Sequence, residues 1–150
     1  MRRHSKKIML SAVLLSGALG VSGEAMAGCT PSVGTGANNS ICLGNGALGL
    51  LTTGINNSAM GTWALSKNTT GTGNSAMGYG ALASNTTGYF NTSLGFGTLA
   101  SNTTGNFNTS IGAPALIANT TGSNNTALGN TAINSNTTGS SNIGIGFNAG

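Results

Sequence analysis

Charged side chains are nearly missing from this chain of 150 residues: Lys and Arg number 5, Asp and Glu together 1, and His 1. Six of those seven lie within the first 24 residues (Arg2, Arg3, His4, Lys6, Lys7 and Glu24). From Gly28 onward Lys67 is the only ionic side chain, and Asp, Glu, Arg, His and Gln do not occur. Each absence excludes a class of function. Without paired carboxylates there is no acid–base apparatus for glycoside or aspartic-protease chemistry. A nucleophile would have no His or acid to activate it. Calcium sites need acidic oxygens and zinc sites need clustered Cys and His. One lysine cannot neutralise a phosphate backbone. The expectation is a non-enzyme with no catalytic residue, cofactor, metal or nucleic-acid partner.

The early charges belong to a recognisable leader. Arg2, Arg3, Lys6 and Lys7 form a basic start, residues 8–21 (IMLSAVLLSGALGV) an apolar run, and Ala25-Met26-Ala27 a small-residue cleavage motif. This pattern predicts a signal peptide over 1–27, removed after Ala27, and hence an exported protein. The apolar run is shorter than the roughly 20 residues of a spanning helix, which argues against a retained anchor. Met26-Ala27-Gly28-Cys29 also looks like a lipobox, with Cys29 as the lipidated residue. Against that stand the polar Ser22, Gly23 and Glu24 and the presence of one other cysteine, Cys42. An exported chain with two cysteines reads more simply as a Cys29–Cys42 disulfide. Residues 28–39 then form an N-terminal cap or linker.

What fills the remainder is a repeat. From Asn57, steps of 17 residues give 57–73 (NSAMGTWALSKNTTGTG), 74–90, 91–107, 108–124 and 125–141, with a divergent copy at 40–56 and a partial one at 142–150. Position 5 is glycine in every copy (Gly44, Gly61, Gly78, Gly95, Gly112, Gly129, Gly146), as is position 15 in every copy that reaches it. A glycine recurring once per period marks a turn with φ > 0 or a close approach. Position 4 is always Leu, Met or Ile (Leu43, Met60, Met77, Leu94, Ile111, Leu128, Ile145), and position 9 is Leu or Ile (Leu48, Leu65, Leu82, Leu99, Leu116, Ile133).

So many glycines and an N-T-T-G block cannot sustain a helical stripe. Short extended pieces between corners can stack copy on copy, placing position 4 over 4 and 9 over 9 as a continuous core. The expectation is all-β: a single-domain β-solenoid, a parallel β-roll of about six and a half 17-residue coils over residues 40–150. At about 4.8 Å per coil it would be a rod of roughly 30 Å.

Three side-chain patterns refine this. Position 12 is Asn in five copies (Asn68, Asn85, Asn102, Asn119, Asn136), as expected of a hydrogen-bonded ladder along the axis. The same N-T-T triplets match the N-glycosylation acceptor pattern, which a periodic corner does not need. Thr69/Thr70, Thr86/Thr87, Thr103/Thr104, Thr120/Thr121 and Thr137/Thr138 would form a flat array if they face outward. Finally, Ala or Ser at position 3 and Ala at position 8 neighbour the bulky positions, so alternation gives the strand a second, small-residue face suited to close approach of another chain. Trp63, Tyr79, Phe96 and Phe147 fall at a variable corner, and Lys67 is a solvated charge.

The run N-[ST]-[AS]-[LMI]-G-x-x-A-L resembles the YadA-like head repeat of trimeric autotransporter adhesins, whose short motif reads roughly N-S-V-A-I-G. The resemblance spans residues 40–150; the period of 17, the N-T-T-G corner and the lack of stalk and barrel segments depart from that family. It implies a left-handed parallel β-roll, three chains to a head, displayed on the bacterial outer membrane for attachment to host matrix or other cells. The functional expectation is therefore a secreted or cell-surface adhesin head or structural fibre segment. The alternative is an ice-binding solenoid that uses the Thr array.

Overall fold

The computed structural model describes residues 39–150. The signal peptide, most of the 28–39 linker and Cys29 lie outside the described residues. Seven three-residue strands, β1 (Ile41–Leu43), β2 (Ser58–Met60), β3 (Ser75–Met77), β4 (Thr92–Leu94), β5 (Thr109–Ile111), β6 (Thr126–Leu128) and β7 (Ile143–Ile145), occupy positions 2–4 of their copies. They form one parallel sheet in sequence order, and every register partner is one 17-residue period away, as in Met60↔Met77 and Leu94↔Ile111. The protein is a β-solenoid of stacked coils, and the described residues contain no helix.

The rest of each coil is a chain of turns rather than a second strand. Within residues 57–73, Ala64 N–H bonds Gly61 C=O (3.2 Å), Ser66 N–H bonds Trp63 C=O (3.3 Å) and Asn68 N–H bonds Leu65 C=O (3.0 Å). Between these turns, backbone groups reach the next coil: Leu65 N–H to Ala81 C=O at 3.0 Å, and Thr69 N–H to Thr86 C=O at 3.0 Å. Axial pairing thus continues around the coil, which satisfies the backbone groups that glycine-rich loops would otherwise leave open.

The two periodic glycines are required for different reasons. At position 5 the backbone adopts φ of +118 to +136, and a Cβ on Gly78 would sit 2.4 Å from the Gly95 carbonyl oxygen of the next coil. Position 15 needs glycine for space alone: a Cβ on Gly88 would meet Asn85 Oδ1 at 2.3 Å and Gly105 O at 2.5 Å.

The interior corrects the expected core. Position 9 fills it, with Leu65, Leu82, Leu99 and Leu116 fully buried and Leu48 and Ile133 nearly so. Position 4 does not. Leu43, Met60, Met77, Leu94, Leu128 and Ile145 are exposed and Ile111 is half-buried. The residues that face inward from the strand are the small ones at position 3: Ala59, Ala76, Ser93, Ser110 and Ala127. The cause is cross-section. A Cβ added at Gly144, in position 3 of the last copy, would lie 2.4 Å from Ile133 Cγ1. The position-9 side chain therefore stands directly against the strand, and position 3 carries nothing larger than Ala, Ser or Cys in any described copy.

Position 8 is buried as well (Ala47, Ala64, Ala81, Thr98, Ala115, Ala132). Two consecutive residues both point inward because every position-9 residue has positive φ, from 48 to 52. That left-handed kink, uncommon for a branched side chain, breaks the alternation expected of an extended segment. The small-residue face is consequently the inside of the coil, and the bulky aliphatic face is the outside.

Candidate interaction face

The outward face of the sheet carries two ranks. Position 4 gives Leu43, Met60, Met77, Leu94, Ile111, Leu128 and Ile145, one above the other in register through all seven strands. Position 2 runs beside it as Ile41, Ser58, Ser75, Thr92, Thr109, Thr126 and Ile143. Seven strands about 4.8 Å apart make an aliphatic stripe roughly 29 Å long beside a row of five hydroxyls bounded by two isoleucines. An apolar strip of this kind, interrupted only by the half-buried Ile111, has the size of the patches that often carry function on soluble proteins.

Exposed aromatics flank the strip. Tyr79 and Phe96 at position 6 stack with centroids 5.4 Å apart and planes within 10°. On the approach to the strands, Phe90 and Phe107 stack at 5.5 Å, and Tyr89 meets each edge-on at 5.7 and 5.2 Å. Tyr89, Phe90 and Phe107 were not singled out by the sequence reading, because positions 16 and 17 vary from copy to copy. Among the described residues the only charge is Lys67, exposed in a turn.

The position-12 asparagines form a ladder buried inside the coil. Asn85 Nδ2 donates to Asn68 Oδ1 (2.8 Å), Asn102 to Asn85 (2.9 Å), Asn119 to Asn102 (2.9 Å) and Asn136 to Asn119 (2.8 Å). Asn68, Asn85, Asn102 and Asn119 have no accessible surface, so the folded coil withholds these amides from a glycosylating enzyme. A second ladder, which sequence reading missed, runs through position 1 (Asn57, Asn74, Asn91, Asn108, Asn125, Asn142). Both ladders donate to one acceptor per coil, the position-15 carbonyl: Gly88 O receives Asn74 Nδ2 at 2.8 Å and Asn85 Nδ2 at 2.9 Å. The signal for the second ladder was present, since Asn opens every copy except the first.

The paired threonines divide. At position 13, Thr69, Thr86, Thr103 and Thr120 each donate their hydroxyl to the corresponding carbonyl of the next coil at 3.0–3.1 Å. Thr137 lies at the same position in the next copy and is exposed. Position 14 (Thr70, Thr87, Thr104, Thr121, Thr138) is exposed throughout. The array is thus one outward rank backed by a rank whose hydroxyls are engaged along the axis.

Cys42, at position 3 of the first coil, is disulfide-bonded; its expected partner Cys29 lies outside the described residues. No cluster of three His, Cys, Asp or Glu occurs among the described residues. Comparison with protein-family models, with curated proteins and with solved structures finds no match for this chain.

Proposed function

We propose that this chain is a non-catalytic, exported repeat protein that works at a bacterial surface as an adhesin head or structural fibre segment, assembled from several copies of itself. The observation that carries this reading is the outward aliphatic rank from Leu43 to Ile145 on a surface whose only described charge is Lys67. A face of seven three-residue strands, each about 10 Å long and together about 29 Å deep, covers on the order of 300 Å². Two such faces bury on the order of 600 Å², so the sheet face is the apolar centre of an interface that must extend over the flanking corners to reach the roughly 1,000 Å² of a specific contact. Nearly uncharged surfaces also lack the repulsion that keeps soluble rods apart. The resemblance to YadA-like head repeats supports three chains per head and a host-matrix or cell-surface ligand.

Adhesion of protein-coated beads to matrix and to cells tests the reading. Beads carrying the exported chain should attach, and beads carrying Met77→Asp/Leu94→Asp should not. Failure of the unaltered protein to attach, with thermal hysteresis in the same preparation, would replace this reading with the ice-binding alternative.

A further inference from the structure

Position 17 has positive φ in every described full copy, and the repeat mostly meets it with residues that tolerate the left-handed region: Asn56, Gly73, Asn124 and Ser141. Two consecutive copies place phenylalanine there instead, Phe90 at φ 53 and Phe107 at φ 55. A bulky aromatic is unfavourable in that conformation, and these two stay 55% and 49% exposed, their rings stacked on one another with Phe90 lying over Gly73 of the preceding coil. Tyr89 departs from its neighbours in a second way. At position 16, Thr72, Asn106, Ser123 and Ser140 each accept a backbone N–H from the preceding coil through a short polar side chain. Tyr89 puts a ring there, 40% exposed, edge-on to both phenylalanines. Three rings are thus gathered on one corner against the local preferences of the backbone and of the side-chain ladder. Strain kept at an exposed site points to a contact made outside the chain.

We infer that Tyr89, Phe90 and Phe107 form a binding site for a neutral glycan. The chemistry around the rings favours that class. The neighbouring groups are amides and hydroxyls (Asn106, Ser123, Asn124), and the one described charge, Lys67, belongs to a different turn. An ionic ligand would find no counter-charge. A sugar ring offers an apolar C–H face to the aromatics and hydroxyls that both donate to and accept from Asn and Ser. The site occupies the corner leading into β4 and β5. This inference deepens the adhesive reading by naming its ligand class.

The test uses Phe90→Asn/Phe107→Asn, which restores the residue found at Asn56 and Asn124, on an array of uncharged oligosaccharides, with thermal melting alongside. The exported chain should capture neutral glycans. The double variant should lose that capture by at least about tenfold, the change expected on removing anchor aromatics, while melting no earlier than the parent. Absence of neutral-glycan capture by the unaltered chain overturns the site, even if coated beads still adhere and the adhesive reading stands. A double variant that unfolds or melts earlier also overturns it, because the rings would then be serving the stack.

Discussion

Asn108 places two donors on a single atom of Asn91 one coil away: its backbone N–H reaches Asn91 Oδ1 at 3.0 Å and its side-chain Nδ2 reaches the same oxygen at 3.1 Å. Neither residue has accessible surface. Asn91→Ala would therefore strand the Asn108 N–H in the interior. A cost of roughly 2–4 kcal/mol is expected from the stranded donor and the lost amide bonds. Asn142→Ala removes a rung that is exposed and supports no further described coil, and should cost only about 1 kcal/mol. Urea denaturation of the two variants measures the contrast.

The position-5 and position-7 glycines separate space from conformation. Gly78→Ala drives a methyl group into the Gly95 carbonyl at a φ that L residues rarely adopt, and should destabilise by about 3 kcal/mol or more. Gly80 also has positive φ, but nothing lies within 4 Å of an added Cβ. Gly80→Asn, which copies the residue at Asn148, should stay within about 0.5 kcal/mol of the parent. Thermal melts of both variants check the difference.

Inside and outside can be told apart with one large-to-small substitution on each. Leu82 is fully buried while Met77, five residues earlier, is exposed. Leu82→Ala should cost about 2–5 kcal/mol through lost burial and the cavity left behind. Met77→Thr should change the stability of an isolated chain by no more than about 0.5 kcal/mol. Equal losses would mean that position 4 packs inside after all.

How far the sequence discloses this fold follows from the same residues. Period, parallel stacking, the position-9 core and the position-12 ladder are legible because each is a residue type repeated at fixed spacing. Position 4 misleads for the same reason: Met60 and Met77 are as regular and as apolar as Leu65 and Leu82. What separates them is the width of the coil. That width is set by a left-handed backbone at a leucine, a conformation composition does not announce, and it turns Ala81 and Leu82 inward together. The aromatic corner stays hidden because Tyr89, Phe90 and Phe107 break the repeat rather than follow it.

The threonine ranks differ in what their hydroxyls do. Thr86 Oγ1 donates to the Thr103 carbonyl at 3.1 Å, whereas Thr87 projects outward. Thr86→Val should cost about 1 kcal/mol, one net hydrogen bond, and Thr87→Val should cost nothing measurable. Differential scanning calorimetry on the pair resolves the two positions.

The aliphatic strip on the outer sheet face stands at the centre of this account, and light scattering during size-exclusion chromatography of residues 28–150 at micromolar concentration addresses it directly. The prediction is a mass of two or more whole chains, reduced to that of a single chain by Leu94→Asp, at the middle strand of the seven. A monodisperse single chain for the unaltered protein under the same conditions would contradict it.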